Sequence, residues 1–342
     1  MARLVISVVT YNESRDAVRV LSSLERQEFR DFSVEAVDNA SEDGTRAALL
    51  SFRRRGTLPL EVTASPRNLG FTGGHNLGIA SAARKGAEWV LVLNTDVVLA
   101  PDYLSRLLEV ASLPGRGRVA SYTGKILRAS GEELAPTRTV DSAGVWMTRS
   151  GRHFDIGAGE RDEGQYDRPA EVFGVSGCVA LYRVEALEDA RIATGYFDDD
   201  FFLYREDVDL AWRLRGLGWS ARCEPSAVAR HRRRNLPERR REMSAAANLH
   251  SVKNRFLLRI NNAGRRHMAA TFASTFLRDA LVVGGVATIE RSSWPALRWL
   301  AENRARLVEK RREIQGRRRV PDRDLLGWFV RGPGRSRRED PA

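Results

Sequence analysis

The sequence predicts an α/β protein: one Rossmann-like, mostly parallel sheet flanked by helices, continued by a helical C-terminal extension. Three observations predict it. Short apolar runs alternate with helix-spaced stretches over the first hundred residues, and such alternation makes a parallel sheet with helices on both faces. The length of 342 residues is too great for one small domain and short for three. The charge also divides the chain. Residues 1–221 carry 27 basic and 32 acidic side chains, whereas residues 222–342 carry 29 and 12.

Residues 4–9, 33–37, 60–63 and 89–93 read as buried strands, and residues 16–24, 45–54 and 76–83 have helical spacing of apolar positions. Ligands of such sheets sit beyond the carboxyl ends of the strands, which singles out the loops at Thr10, Asp38, Ser65 and Asn94. Residues 114–170 are rich in Gly, Pro, Arg, Ser and acidic residues with weak periodicity. Strands and long loops are expected there, as the variable wall of a site. Residues 172–183 return to a strand-like run. Residues 207–217 predict a helix with Leu210, Ala211, Leu214 and Leu217 on one side, and residues 220–224 and 227–229 predict two short strands. From residue 249 the pattern is helical and ends Arg-rich. The expected division is 1–260, split into halves at 1–113 and 114–260, with a basic helical extension at 261–342.

Cys178 and Cys223, the two cysteines, exclude a disulfide scaffold and, with no Cys/His cluster at ligand spacing, a zinc finger. Both read as small core residues in a reducing compartment. The apolar start is too short for a signal peptide. Residues 267–289 are apolar, but Arg278 and Asp279 at their centre argue against a spanning helix.

Four segments carry candidate chemistry. Val37-Asp38-Asn39-Ala40-Ser41 ends a strand and opens a helix, with Asp38 placed to accept hydrogen bonds from a base or ribose and Ser41 as a natural helix N-cap. Its continuation is no EF-hand, because position twelve is Leu50. Asn68-Leu69-Gly70-Phe71-Thr72-Gly73-Gly74-His75-Asn76 lets the backbone approach a phosphate or sugar closely. It lacks both the Rossmann glycine spacing and a Walker lysine, and His75 has no evident task. Leu93-Asn94-Thr95-Asp96 puts a carboxylate at the end of a very apolar strand, the fixed oxygen a hard divalent cation needs. Residues 197–209 mix six carboxylates with bulky apolar residues, and packing of that kind raises a carboxylate's pKa toward that of a general base at neutral pH.

In this order the motifs resemble glycosyltransferase family 2, the inverting enzymes of GT-A fold, and most of all its bacterial rhamnosyltransferase-like branch. The resemblance rests on Val9-Thr10-Tyr11-Asn12, Val37-Asp38-Asn39-Ala40-Ser41, Asn68-Leu69-Gly70-Phe71, Leu93-Asn94-Thr95-Asp96 and the run from Phe202 to Leu210, and covers about residues 3–260. It implies that Thr10, Tyr11, Asn12 and Asp38 hold the nucleoside. Arg67, Asn68, Gly70, Asn76, Asn94 and Thr95 would line the nucleotide-sugar cleft. Asp96 would hold Mg2+ or Mn2+, with His231 as a further metal or diphosphate contact. Asp207 would be the catalytic base, with Glu206 and Asp209 beside the acceptor or behind the base. Asn94 stands where the family's metal motif has its first Asp, so the metal has fewer protein carboxylates.

The implied activity is inverting, metal-dependent transfer of a sugar to a hydroxyl of a cell-envelope polysaccharide or a polyprenyl-diphosphate-linked saccharide. L-rhamnose from dTDP-rhamnose is the first choice of donor and a UDP-sugar the second. The implied partners are this donor and acceptor, with no nucleic acid. The implied location is cytoplasmic, peripheral on the inner face of the membrane, where the basic C-terminal part would meet an anionic surface. A homodimer through the C-terminal helices would use the same apolar stretch. Two other readings exist. A sugar nucleotidyltransferase would carry an early Gly-rich segment with a basic residue, where this chain has Thr10-Tyr11-Asn12-Glu13. A basic protein binding nucleic acid or membrane would explain Arg230-His231-Arg232-Arg233-Arg234, but that run has no interleaved aromatics.

Overall fold

A computed structural model describes residues 3–233, 244–330 and 338–339. Its N-terminal half follows the apolar periodicity closely. Strands β1 (Leu4–Thr10), β2 (Phe32–Asp38), β3 (Leu60–Ala64) and β4 (Trp89–Leu93) alternate with helices α1 (Ser14–Glu25), α2 (Thr45–Arg54) and α3 (Gly70–Arg84). β4, β1, β2 and β3 lie side by side, all parallel. β4 reads Trp-Val-Leu-Val-Leu without a polar residue because both its faces are covered. α1 turns Ala17, Val20, Leu21 and Leu24 onto the sheet, the spacing of one helical face.

The sheet is mixed beyond β4. After β5 (Val97–Leu99) and α4 (Tyr103–Ala111) come β6 (Val119–Ser130), β7 (Ala135–Ser142), β8 (Val145–Thr148), β9 (His153–Asp155), β10 (Ala170–Val172) and β11 (Val179–Arg183). α5 (Val184–Ala190), α6 (Glu206–Gly216) and β12 (Ser220–His231) follow. β11 pairs antiparallel with β4 and β6, β12 runs parallel to β6, and β8 and β9 form a separate hairpin.

Three local expectations are corrected. The run at 172–183 is two strands, β10 and β11, separated by a turn that enters the site. The two strands at 220–224 and 227–229 are one, carrying a register shift between Glu224 and Val228. Ser41 does not cap a helix. Gly44, at φ +87°, precedes α2, and Asp43 accepts the Thr45 N–H at 3.0 Å.

The C-terminal part continues with α7 (Ala245–Asn262), capped by Ser244, then α8 (Arg265–Thr288), α9 (Trp294–Glu302) and α10 (Arg304–Gly316). These helices are built into the body. Leu257, Leu258, Leu307, Leu325 and Trp328 share one apolar cluster with Met147, Phe173, Phe201 and Trp212. On α10 the buried Lys310 ammonium pairs with Asp198, at 2.6 Å, and with Asp200, both on the loop leading to α6.

Candidate active site

The carboxyl ends of β1, β2 and β4 open onto a cleft of about 470 Å3. On one side it is lined by Tyr11, Glu13, Asn39, Asn68, Gly70 and the run Asn94–Asp96. Asn39 binds this wall together. Its carboxamide donates to Asn68 Oδ1 and the Gly70 carbonyl, both at 3.0 Å, and accepts the Leu69 N–H at 2.8 Å. Asp38 is buried and off the cleft lining, and its Oδ1 has no hydrogen-bond partner. A buried carboxylate oxygen left without a donor is costly, and a ligand N–H would relieve it only if the wall around it shifted. Thr95 donates its hydroxyl to Glu13.

Other predicted residues sit elsewhere. Thr10 is fully buried with its hydroxyl on the Val37 carbonyl, whereas Tyr11 reaches the cleft. Asn12, at φ +55°, stitches the first two loops together. Its N–H donates to Ser41 Oγ at 3.0 Å and its side-chain Oδ1 accepts the Glu42 N–H at 2.8 Å. Arg67 is exposed and off the cleft lining. Asn76 also lies off it, because its carboxamide is taken up by the Phe197 N–H and carbonyl, both at 2.9 Å, and by Asp199 at 2.8 Å. His75 does reach the cleft wall. Its ring meets Ser7 Oγ at 2.8 Å and packs 4.4 Å from Phe71, and burial pushes its pKa down to about 3, so it is neutral.

A second group surrounds Asp96. His231 Nε2 lies 3.4 Å from Asp96 Oδ1, while Nδ1 meets Asp141 Oδ2 at 2.7 Å. Asp141 also takes Arg233 at 3.3 Å, and Arg233 reaches Asp155 at 2.7 Å. Burial alone would lower the His231 pKa, but Cys178, Asp141 and Asp96 outweigh it and hold it well above the ordinary value. A divalent cation here would replace the proton on Nε2. Among the described residues no group of three or more His, Cys, Asp or Glu side chains is arranged around one metal position. The donor set is therefore one carboxylate and one imidazole. It fits a cation whose remaining positions are filled by diphosphate oxygens and water.

Facing this group is the start of α6. Asp207 Oδ2 accepts the Gly177 N–H at 3.0 Å, and Oδ1 accepts the Val208 N–H at 2.8 Å. Enclosure by the cleft walls raises its pKa to about 6, against the pull of these N–H groups and with the help of Asp155. Glu206 is buried, and its Oε2 has no partner. Burial and the neighbouring Asp207 raise its pKa well above its ordinary value, which favours its protonated form. Of the two places expected for Asp209, the one beside the acceptor is corrected. The residue is fully buried away from the cleft, bonded to Arg213 at 2.8 Å and to Asn261 and Asn262 at 3.1 and 2.6 Å, and cannot touch an acceptor.

The loop before α6 is conformationally unusual. Phe202, Tyr204 and Arg205 all have φ between +64° and +71°, a region that costs non-glycine residues energy and clusters at functional sites. Asn254, fully buried on α7, donates to the carbonyls of Phe201, Leu203 and Tyr204 at 2.8–2.9 Å and holds the loop. Gly70 lies beneath it at φ +70°, and a Cβ there would fall 2.4 Å from the Phe202 carbonyl.

Several residues at the cleft carried no readable signal. Asp141, His153 and Asp155 come from the unpatterned 114–170 wall, and Gly177 from the turn between β10 and β11. Cys178 is a small buried residue as expected, yet it also lines the cleft beside His231. Arg233 stood in the basic run that suggested nucleic acid, but it faces inward to Asp141 and Asp155. Arg234 lies outside the described residues.

The sequence profile of Glycosyl transferase family 2 matches residues 5–191. The chain belongs to glycosyltransferase family 2. This glycosyltransferase is 30% identical over 247 residues to N-acetylglucosaminyl-diphospho-decaprenol L-rhamnosyltransferase of Mycobacterium tuberculosis, covering 67% of the chain and 75% of that relative. Its fold matches two solved structures. The first is GalNAc-T7 with UDP, GalNAc and Mn2+, at a TM-score of 0.58 and 14% identity, with 75% of this chain and 48% of that one covered. The second is S. aureus TarS, at a TM-score of 0.56 and 17% identity, with coverage of 96% and 50%. The glycosyltransferase thus spans about half the length of these two structures, and the shared architecture is the GT-A fold. Family membership sets the nucleotidyltransferase reading aside.

Proposed function

We propose that this glycosyltransferase moves L-rhamnose from dTDP-rhamnose, with a UDP-sugar as the second choice, to a hydroxyl of a saccharide carried on a polyprenyl diphosphate. The observation that carries the mechanism is the pairing across one cleft of a carboxylate with pKa about 6, Asp207, and the Asp96–His231 pair. Asp207 accepts the proton of the attacking acceptor hydroxyl while the bond from the anomeric carbon to the diphosphate breaks on the opposite face. A single displacement inverts the configuration. Gly177 N–H and Val208 N–H fix the orientation of the Asp207 carboxyl. The upward shift of Glu206 favours Asp207 as the ionised member of the pair.

Mg2+ or Mn2+, held by Asp96 and His231, would offset charge growing on the leaving diphosphate. The Mn2+ in the GalNAc-T7 structure supports a divalent cation. Asp141 fixes the imidazole so that Nε2 faces the cleft. The unpartnered Asp38 oxygen suits the N3–H of a pyrimidine base, which thymine and uracil share. The rhamnosyl donor and lipid-linked acceptor are supported by the mycobacterial relative's name. Such an acceptor would place the enzyme at the inner face of the cytoplasmic membrane.

A donor panel tests the reading. The purified chain is incubated with dTDP-rhamnose, UDP-GlcNAc, UDP-glucose or GDP-mannose and a short-chain polyprenyl-diphosphate saccharide, and nucleotide release is measured. Acceptor-dependent release of dTDP above the other nucleotides is expected. Release confined to UDP or GDP overturns the donor assignment.

A further inference from the structure

α8 is built inside out. Its 24 residues span about 36 Å. The side turned to the body carries His267, Thr271 and Val286, all buried, and its central charges also turn that way. Asp279 pairs with Arg259 of α7, and Arg278 is half-buried. The opposite side is exposed and apolar. Phe272, Phe276, Leu277 and Leu281 are each 63–67% exposed, and Ile289 85%. From Met268 to Ile289 no exposed residue carries a charge. At about 200 Å2 per ring, the two phenylalanines alone leave roughly 250 Å2 uncovered, and exposed Leu277, Leu281 and Ile289 enlarge this beyond the few hundred Å2 past which an apolar patch marks an interaction surface. The neighbouring α10 shows the ordinary pattern, exposing Arg304, Arg306, Glu309 and Arg312.

We propose that the outward face of α8 docks on an anionic lipid surface. Charge selects this occupant. Exposed Arg265 and Arg266 stand at one end of the face and exposed Arg291 and Trp294 at the other. On a helix of 3.6 residues per turn, Arg265 and Arg266 fall within the same arc as Phe272 and Leu277. Cations at both ends of an apolar face, with Trp at the rim, match an acyl layer bordered by anionic headgroups. Two copies joined through this face about a two-fold axis would instead bring cationic ends together, with no acidic residue on the exposed arc to neutralise them. The helix lies in the interface rather than crossing it, because one whole side is occupied by the body. It also adjoins the cleft. Ser274 Oγ donates to the Arg149 carbonyl at 3.2 Å, and Arg149 sits in the turn between β8 and β9, whose His153 and Asp155 line the cleft. A lipid surface under α8 is therefore one hairpin away from the site. This surface stands whichever nucleotide sugar the enzyme uses.

Co-sedimentation with vesicles tests it. The full chain is mixed with phosphatidylglycerol vesicles and with phosphatidylcholine vesicles, alongside the variants Phe272→Asp/Phe276→Asp and Arg265→Gln/Arg266→Gln. Both pairs are exposed, so thermal melts should match the wild type. Binding to phosphatidylglycerol is expected to exceed binding to phosphatidylcholine about tenfold and to weaken in high salt. The Asp pair should abolish it, and the Gln pair should weaken it. Donor hydrolysis by the variants in detergent-free buffer should be unchanged, which separates failure of this surface from failure of the catalytic reading. A wild-type chain that ignores phosphatidylglycerol, or an Asp pair that still binds, overturns the proposal. A wild type that does not bind vesicles but is a dimer, made monomeric by the Asp pair, overturns it in favour of a second copy.

Discussion

Replacing Asp207 by Asn keeps the shape of the side chain and removes its basicity. With a pKa of about 6, Asp207 is about nine-tenths ionised at pH 7 and about one-tenth at pH 5. Transfer by the wild type should therefore fall about tenfold between those pH values along a limb centred near 6. The substitution should lower kcat by roughly a hundred to ten thousand fold, the usual range for loss of a general base, with donor affinity nearly intact. Stability gives a second readout. A carboxyl whose folded pKa is raised from 3.8 to about 6 contributes most below pH 3.8 and loses that contribution as pH rises through 6. The loss is about 3 kcal/mol at its upper bound. Between pH 4 and pH 7 the wild type should therefore lose more stability than Asp207→Asn, whose amide does not titrate. The assays are a pH series of acceptor-dependent nucleotide release and of urea midpoints. An Asp207→Asn enzyme within about tenfold of wild type, or one that keeps the acid limb near 6, refutes the assignment.

Glu206→Gln should keep activity within about tenfold and leave the acid limb in place, because Gln is isosteric with the protonated carboxyl; a limb that moves by about a pH unit would show that Glu206 is ionised. EDTA should abolish transfer and Mn2+ or Mg2+ restore it, while Asp96→Ala should raise the metal concentration needed for half-activity by about tenfold or more, read by metal titration. Full activity in EDTA would make the Asp96–His231 pair purely structural. Lys310→Met leaves Asp198 and Asp200 without their ammonium and should cost about 3–5 kcal/mol in urea unfolding; a change under about 1 kcal/mol would mean that solvent screens the pair. Gly70→Ala forces a left-handed alanine, about 1–2 kcal/mol, and pushes against Phe202. It should reduce transfer more than it lowers the melting temperature, and an unchanged rate would show that the loop tolerates the shift.

The parallel half of the sheet was legible because its strands are short and mostly apolar, β4 without a polar residue, and its helices keep one apolar face. α3 begins six residues before its apolar pattern does. Gly73 and Gly74 are poor helix formers, but a Cβ at Gly74 would fall 2.7 Å from Val9, a requirement of packing that propensity does not carry. β12 read as two strands because Pro225 and Ser226 interrupt it, and long-range pairing with β6 carries it through. In the site, Asp207 and Asp209 stand two apart, and residues two apart on a helix do not share a face. That spacing was available and points one to the cleft and the other into the body. Asn76 fits a cleft loop by position and a clamp by contact, and only the approach of Phe197 distinguishes them. Asp141 and Asp155 were invisible because their partners, His231 and Arg233, are about 80–90 residues further along the chain.

The Asn254 clamp bears on the order in which the enzyme becomes competent during its synthesis. Chains leave the ribosome N-terminus first, so β1 to β4 can pair while α7 is still unmade. The segment 202–205 emerges with its carbonyls facing no carboxamide and its backbone in the unfavourable left-handed region. Only about fifty residues later, when α7 has emerged and folded, does Asn254 supply the three hydrogen bonds that hold it. A ribosome stalled before that point would carry a nascent chain with a formed nucleotide-binding sheet and an unformed base loop. A half-made enzyme of this kind could hold donor yet could not transfer sugar, so its chemistry would switch on only once α7 has emerged and folded.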